Sequence, residues 1–445
     1  MRPKVSLYLS LVSAGLLFAS PRMVLAQNAK ADKLLEKAIS QKQTDHFIST
    51  LAADDMEGRK FGTPGIRKAG AFIADAFKKA GLQTMPADSG YFQNFSIYTS
   101  HIYDKAIRLN GALLADNASI IVSTQPSIDL QSGDSLTILT PQNREELMEL
   151  LMGAAPNTSN RLVILKKEAA NLIPVLDRFT QNQFSSPYTT IYLALDQKLS
   201  SQDKISISAK NELTTQRLAN IVGILPGKTK PNEYVIFSGH YDHLGIDANN
   251  KQDSIYNGAN DDASGTTAVM QLANYYSKLG TNDRTLVFAA FTAEEAGGFG
   301  SKYFSLQFDP AKVMAMFNIE MIGTESKWGK NSAYITGYEK TNMGQILEQN
   351  LVGTGFSFYP DPYPSQQLFY RSDNATLARQ GVPAHTISTS KMDAEPNYHK
   401  VSDEVSTLDL SNMNKIIQCI ALSARTIVAA KDTPSRVNTS ELKRR

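Results

Sequence analysis

Histidine and carboxylate residues recur at five places in the second half of the chain. These places are Gly239-His240-Tyr241-Asp242-His243, Asn260-Asp261-Asp262, Glu294-Glu295, Asn318-Ile319-Glu320 and Tyr398-His399. Imidazole and carboxylate groups without thiolates suit zinc in a hydrolytic site, or a harder metal such as manganese. The chain has a single cysteine, so a cysteine-based zinc site and an intrachain disulfide are both excluded. The residue types therefore predict a hydrolytic metal centre.

Most of these polar segments follow a predicted strand or begin a predicted helix. Strands are predicted at 234–238, 285–291, 314–319 and 383–388, and helices at 263–279, from about 293, at 341–351, 373–380 and 410–430. This alternation predicts an α/β fold, with a mostly parallel mixed sheet and helices on both faces. Because ligands bind at the carboxyl ends of such strands, we expect the polar segments to share one rim.

The pattern changes between residues 104 and 213. Short β-like runs occur at 119–123, 136–139, 162–165, 189–193 and 205–209, with one helical stretch at 144–152 and no catalytic motif. The predicted organisation is a split catalytic domain at 27–103 and 214–430, an inserted β-rich domain at 104–213, and a polar tail at 431–445. Two further helices are predicted before residue 82, over 31–53 and ending at Gly81.

The first 26 residues have the pattern of a secretory signal peptide. A basic start precedes an uncharged run over 5–20, and Val24-Leu25-Ala26 provides small residues for cleavage after Ala26. The run is shorter than the roughly 20 residues that span a bilayer, which disfavours the alternative of a membrane anchor. A secreted or periplasmic protein, free of the membrane after cleavage, is expected.

Composition is that of an ordinary globular protein. Apolar residues make up 42% of the chain and charged residues 20%, which excludes global disorder. The formal net charge of +2 is too small to indicate a basic surface for nucleic-acid binding, so no nucleic-acid partner is expected. The sequence has neither a G-x-S-x-G nor an H-E-x-x-H motif, which disfavours a serine hydrolase and excludes a helix-borne zinc site.

The order of five motifs resembles the di-zinc aminopeptidases. This family includes secreted bacterial leucine aminopeptidases, plasma glutamate carboxypeptidase and glutaminyl cyclases. The motifs are GHYDHLG at 239–245, GANDDASG at 258–265, AEE at 293–295, NIEMIG at 318–323 and YH at 398–399, with MEGR at 56–59 and GTPG at 62–65 near the start. The resemblance covers about 45–103 and 214–430 and implies the zinc exopeptidase, or phosphorylase/hydrolase-like, fold. The insert resembles a protease-associated domain.

The resemblance also implies a role for each motif residue. Asp261 would bridge two zinc ions per chain, with His240 and Glu320 completing one site and Glu295 and His399 the other. Asp242 would accept the other imidazole N–H of His240. Glu294 would act as the general base toward a metal-bound water.

Some positions leave alternatives open. The family usually has Asp where this chain has Glu320, so Glu320 is either a ligand or a second carboxylate behind the ligands. His243 and Asp262 are interpreted as local hydrogen-bonding groups. Tyr370, Arg371 and Asp373 resemble a substrate-binding segment, although a helix cap at Asp373 explains part of that pattern.

The expected function is that of a secreted di-zinc metallo-aminopeptidase, a hydrolase that removes N-terminal residues from peptide substrates. The alternatives are a glutaminyl-peptide cyclotransferase, which would use a single zinc, and a metal-free binding module. A full ligand set that includes His240 and Glu320 favours two metals, and the presence of Glu294 argues against a binding module. Residue specificity, the natural substrate and the oligomeric state are left open.

Overall fold

A computed structural model gives the fold of most of the chain. The described residues are 33–86, 88, 90–132, 134–143, 146–147, 150, 157–166, 173–196, 198–200 and 202–442. The predicted signal peptide at 1–26 and most of the predicted helix at 144–152 lie outside this range. Among the described residues, no helix is long and apolar enough to cross a membrane.

The regular elements of the described residues are numbered in chain order. The helices are α1 (Gln41–Leu51), α2 (Pro64–Lys79), α3 (Ile173–Thr180), α4 (Ser264–Leu279), α5 (Phe299–Ser305), α6 (Met343–Leu351), α7 (Asn374–Ala378), α8 (Leu410–Ser423) and α9 (Arg425–Val428). The first strands are β1 (Phe92–Leu109), β2 (Ala112–Leu113), β3 (Ser119–Val122), β4 (Ser127–Gln131), β5 (Leu136–Leu139), β6 (Asn160–Lys166), β7 (Asn182–Gln183), β8 (Thr190–Leu195) and β9 (Ile205–Leu225). The remaining strands are β10 (Lys230–His240), β11 (Gly245–Ile246), β12 (Ile255–Tyr256), β13 (Arg284–Phe291), β14 (Val313–Ile319), β15 (Ser332–Ile335), β16 (Ser357–Pro360) and β17 (Ala384–Ser388).

One large mixed sheet organises the molecule. Its strand order is β16-β15-β17-β14-β10-β13-β9-β1-β2, with β4 beside β9 and β7 beside β1. The central strands β13, β10, β14 and β17 are parallel, whereas β9 and β15 run antiparallel to their central neighbours. The predicted α/β class with a mostly parallel core inside a mixed sheet is confirmed.

Helices cover both faces of this sheet because the central strands are apolar on both sides. Phe237 and Phe288 belong to one apolar cluster with residues of α1, α2, α4 and α8. The intervening Ile236 and Val287 belong to a second cluster, which includes residues of α5 and α7. Side chains alternate between faces along a strand, so a continuous apolar run serves both helix layers.

Two details differ from the expectations. The helix expected from about residue 293 begins instead at Phe299, because Ala293, Gly297 and Gly298 all have positive φ and the chain turns before it becomes helical. Strands β15 and β16 were not predicted, since each has only four residues and neither carries a long apolar run.

The region at 104–213 contains a second sheet. Its order is β3-β8-β6-β5, and its apolar cluster includes Ile121, Leu162 and Leu193. Strands β1 and β9 connect this region to the large sheet as one antiparallel pair, which passes through both predicted domain boundaries. The boundaries therefore fall inside paired strands, and the domain division itself stays a prediction.

The predicted polar tail is held against the sheet as far as the structure describes it. Arg436 donates hydrogen bonds to the carbonyl oxygens of Val313 at 2.7 Å and Pro310 at 2.8 Å. The buried Arg284 donates to the carbonyl of Asp432 and the hydroxyl of Thr433. These contacts lie at the start of β13 and β14, at the edge of the sheet opposite to the polar rim.

Candidate metal centre

Three parallel strands bring the predicted ligands to one edge of the sheet. His240 is the last residue of β10, Glu320 directly follows β14, and Glu295 comes four residues after β13. Because β10 pairs in parallel with both β13 and β14, the carboxyl ends of the three strands meet. Asp261 reaches the same place from the segment before α4.

His240, Asp261 and Glu320 form the first group of potential ligands. One ligand atom from each lies within 4.8 Å of the others. His240 Nε2 lies 3.1 Å from Asp261 Oδ1, and both side chains are almost fully buried. Ser372 donates a hydrogen bond to Glu320 Oε2 and so orients this carboxylate.

The second group is built on the other oxygen of Asp261. His399 Nε2 lies 3.3 Å from Asp261 Oδ2 and 3.2 Å from Glu295 Oε2. Asp261 therefore has one oxygen toward His240 and the other toward His399. This is the arrangement that a carboxylate shared between two cations requires.

His243 also belongs to this second group. Its Nδ1 lies 2.8 Å from Glu295 Oε1 and 4.0 Å from Asp261 Oδ2, so it is near enough to share a cation with them. Glu295 thus contacts an imidazole with each of its oxygens. From the sequence, His243 is interpreted as a hydrogen-bonding group. The contact between His243 and Glu295 Oε1 is compatible with that role.

Asp242 contacts the site differently from the expectation. His240 Nδ1 lies 3.1 Å from the backbone oxygen of Asp242, while the carboxylate is 3.8 Å away. The carboxylate instead accepts hydrogen bonds from the backbone amides of Glu294 at 3.1 Å and Glu295 at 3.3 Å. Asp242 therefore fixes the Glu294–Glu295 pair, and its backbone carbonyl orients the imidazole.

Two further buried carboxylates hold the ligand-bearing loops. Asp262 accepts hydrogen bonds from the backbone amides of His240, Gly265 and Met321, as its interpretation as a hydrogen-bonding group implied. Asp403 accepts from the amides of Asn260 at 2.8 Å and Asp261 at 3.0 Å. Sequence reasoning missed Asp403, although it lies only four residues after His399.

The pKa values of the site residues are shifted because several carboxyl groups lie close together in a buried place. Burial raises the pKa of Glu320 to about 7 and that of Asp242 to about 7. Burial would also raise the pKa of Asp261, but close contacts with His240 and His399 hold it well below its usual value. Contacts with Asp261 and Glu295 raise the pKa of His399 to about 10 against the effect of burial. Burial thus opposes the charged form of several carboxyl groups at this rim.

The donor set fits divalent cations. His243 Nε2 is buried without a hydrogen-bond partner among the described residues, and His240 Nε2 lies 3.1 Å from Asp261 Oδ1 without the geometry of a hydrogen bond. Buried polar atoms are normally paired, so unpaired imidazole nitrogens beside carboxylates indicate missing ligands. Nitrogen and oxygen donors are those that zinc takes in proteins, and two cations would offset the crowded carboxylates.

A small pocket of about 40 Å³ opens beside Glu320. Its lining residues are Glu320, Met321, Tyr334, Thr336, Leu368, Arg371, Ser372, Thr386, Ser388, Met392 and Tyr398. Of the three predicted substrate-binding residues, only Arg371 lines it. Tyr370 packs in an apolar cluster with residues of α7. Asp373 is buried, and within the described ranges neither of its carboxylate oxygens has a hydrogen-bond partner of good geometry. Tyr398 lines the pocket but was expected only as the neighbour of His399.

Comparisons with known proteins agree with this architecture. Residues 220–424 match the family model Peptidase family M28. Aminopeptidase YwaD of Bacillus subtilis (strain 168) is 27% identical over 176 residues, which are 39% of this chain and 36% of that protein. A probable zinc metalloprotease of Leptosphaeria maculans is 33% identical over 112 residues, 25% of this chain and 26% of that protein. The matched segments thus span about a third and a quarter of these relatives.

The solved structures extend the likeness to the whole fold. The aminopeptidase from Aneurinibacillus sp. strain AM-1 has a TM-score of 0.52 at 17% identity, covering 89% of this chain and 95% of that chain. The zinc aminopeptidase BSAP from Bacillus subtilis has a TM-score of 0.52 at 15% identity, covering 90% and 98%. Residues 220–424, a little under half of the chain, thus match peptidase family M28, and the fold is similar to that of the solved zinc aminopeptidases.

Proposed function

We propose that this chain is a di-zinc aminopeptidase that hydrolyses N-terminal residues from peptides. The observation that carries the proposal is the position of Asp261, with Oδ1 facing His240 and Oδ2 facing His399. His240 and Glu320 would complete one zinc site, and Glu295 and His399 the other. Zinc ions held there would polarise the scissile carbonyl and lower the pKa of water.

Glu294 is the proposed general base. Glu295 forms hydrogen bonds with His243 and His399, whereas Glu294 interacts electrostatically with His240. The two neighbouring carboxylates therefore face different metal-ligand groups. Burial raises the pKa of Glu294 well above its usual value, which suits a group that must accept and release a proton. Glu294 would accept a proton from the attacking water and return it to the leaving amine nitrogen.

The pocket beside Glu320 is the proposed site for the substrate side chain. The hydroxyl of Thr386 donates to Asn374, and that of Ser388 donates to the Met321 carbonyl. Both hydroxyls are therefore already hydrogen-bonded within the protein. Together with the apolar side chains of Met321 and Leu368, this makes the surface of the pocket mostly apolar. The free amine of a peptide would lie among the rim carboxylates.

Two further features belong to the proposal. Secretion, with cleavage after Ala26, is supported by the pattern of residues 1–26.

The 104–213 region is proposed to act as an inserted domain beside the site. Phe184 of this region contacts Phe299, the first residue of α5, with ring centroids 5.2 Å apart. The insert is therefore in contact with the segment that follows Glu294 and Glu295.

A hydrolysis screen tests the proposed function. The zinc-loaded protein is assayed with aminoacyl-anilides, dipeptides and N-terminally acetylated dipeptides, with and without a chelator, and zinc is counted per chain. We expect cleavage of the free-amine substrates alone, loss of cleavage with chelator, and two zinc ions. Cyclisation of a glutaminyl peptide with one zinc per chain would contradict the proposal, as would zinc loading without hydrolysis of any substrate.

A further inference from the structure

Arg59 is an arginine with no exposed surface at all. Its guanidinium donates four hydrogen bonds, and every acceptor is a backbone carbonyl. Nε donates to Tyr241 at 2.9 Å, Nη1 to Leu51 at 2.7 Å and to Asn257 at 2.5 Å, and Nη2 to Gly258 at 2.8 Å. A buried arginine usually pairs with a carboxylate. A guanidinium that instead donates only to backbone carbonyls indicates a structural link between the segments that carry them.

The acceptors of Arg59 lie on the loops that carry the metal centre. Tyr241 directly follows His240, and Gly258 comes three residues before Asp261. The third segment is the end of α1, where the carbonyl of Leu51 has no partner within the helix. One rigid, planar group therefore sets the spacing between the loop after β10 and the segment before α4.

The local backbone is shaped to deliver this side chain. Glu57, Gly58 and Arg59 are three successive residues in the left-handed region, with φ of 54°, 61° and 49°. Such conformations persist only where the surroundings enforce them. Gly58 packs so closely on the carbonyls of Gly245 and Tyr256 that a Cβ there would lie 2.5 and 2.6 Å from them. The turn is thus fixed on one side by close packing and on the other by the four bonds of Arg59.

We infer that Arg59 is a positioning residue of the metal centre, whose guanidinium holds His240 and Asp261 at the separation that zinc binding requires. This inference rests on the proposed function, since it concerns the same site. Arg59 contacts neither His240 nor Asp261 through its side-chain hydrogen bonds and does not line the substrate pocket. Its effect must therefore pass through the backbone of the two loops.

The shape of the guanidinium, rather than its charge alone, carries this role. Lysine would keep the positive charge near Asp403 and Asp261. Its single ammonium is a point donor, however, and cannot bridge carbonyls on three segments as the planar fork does. Arg59→Lys therefore removes the link and leaves the charge.

The chain offers a matched control in Arg284. This second arginine is also fully buried and donates four hydrogen bonds, to Glu233, the Ile427 and Asp432 carbonyls, and Thr433. It begins β13, so it lies about 23 Å along the strand from the rim. Arg284→Lys should cost folding stability in a similar way without reaching the metal centre.

The test compares both variants with the wild-type chain. The free energy of unfolding is measured in excess EDTA, the zinc dissociation constant by competition with a chromophoric chelator, and kcat and KM on an aminoacyl-anilide at saturating zinc. For Arg59→Lys we expect zinc binding about 10–100-fold weaker, the range found for groups that orient metal ligands, with a lower kcat and an unchanged KM. For Arg284→Lys we expect lower stability with wild-type zinc affinity and kcat.

Two results would overturn the inference. One is an Arg59→Lys variant that binds zinc as tightly as Arg284→Lys does. The other is an Arg59→Lys variant that fails to fold even with zinc present while Arg284→Lys folds, because Arg59 would then be a folding determinant only. A wild-type chain that binds no zinc would instead contradict the proposed function, and that outcome is visible before the variants are compared.

Discussion

At the scale of single residues, Glu294 and Glu295 divide two tasks between adjacent positions. Their backbone amides both donate to the carboxylate of Asp242, which fixes the backbone from which the two side chains project. Glu295 contacts His243 and His399 directly, at 2.8 and 3.2 Å. In the part of the chain that the structure describes, Glu294 forms no ion pair with an imidazole, which leaves its carboxylate available for proton transfer.

Substitution by glutamine separates these tasks. Glu294→Gln keeps size and hydrogen bonding but cannot accept a proton, so we expect two zinc ions per chain and a kcat reduced by about 10²–10⁴-fold. Glu295→Gln removes a charged ligand from the second group, so we expect loss of zinc as well as activity. Zinc counting and steady-state kinetics on the two purified variants check this. A Glu294→Gln protein without zinc but with wild-type stability would reverse the two assignments.

The candidate ligands and the supporting Asp242 and Asp262 could be predicted from the sequence, whereas Asp403 and the role of Arg59 could not. His240, Glu295 and Glu320 stand next to apolar strand runs, and that position along the chain is visible in the sequence. Asp403 and Arg59 act on segments some 140 to 200 residues away, through backbone groups that carry no signal of residue type. Only the folded chain shows such contacts.

At the scale of elements, the start of helix α4 is set against the end of strand β14. Gly265 lies where a Cβ would overlap the carbonyl oxygen of Ile319 and both carboxylate oxygens of Asp262. Asp262 in turn accepts hydrogen bonds from the amides of His240 and Met321. The contact between helix and strand is therefore linked directly to two ligand-bearing segments.

Gly265→Ala tests this junction. Alanine in a helix is normally favoured over glycine by up to about 1 kcal/mol, but here we expect a loss of about 1–3 kcal/mol in the free energy of unfolding because of the overlap. Zinc affinity should fall as well, since Asp262 must move. The control is Gly70→Ala in α2, where the nearest atom is the flexible Ile221 Cδ1 at 3.2 Å. Equal stability of the two variants would argue against a tight junction at Gly265.

The long pair of β1 and β9 links the 104–213 region to the rim. Because Tyr103 pairs with Lys210, the region between them can be replaced by a two-residue Asn-Gly turn that closes the hairpin. We expect the shortened enzyme to cleave long peptides faster, relative to dipeptides, than the full chain does. Phe184→Ala in the full chain should change this ratio in the same direction, since it removes the contact with Phe299. An unchanged ratio in both proteins would mean that the 104–213 region does not limit the access of long peptides to the site.

Elements were predictable where local pattern and tertiary environment agree. Strands β10, β13 and β14 are buried on both faces, so their apolar runs stand out in the sequence. The short β15 and β16 form mainly because neighbouring strands supply their partners. The predicted insert boundaries fall within β1 and β9, in stretches of both strands that are partly or fully exposed and therefore carry no apolar run in the sequence.

At the scale of the whole molecule, charge is distributed unevenly. The formal net charge is only +2, yet Asp242, Asp261, Asp262, Glu320 and Asp403 lie together at one rim. Burial raises the pKa of Asp403 to about 6, another sign of crowded carboxylates. Two divalent cations would compensate much of this local charge. The near neutrality of the chain as a whole therefore conceals a strongly acidic site.

Anomalous diffraction from a zinc-loaded crystal tests the central claim most directly. The account predicts two zinc peaks about 3.5–4 Å apart, with Asp261 contributing one oxygen to each. His240 and Glu320 should ligate one ion, and Glu295 and His399 the other. A single peak, or a pair of peaks that Asp261 does not bridge, would contradict it.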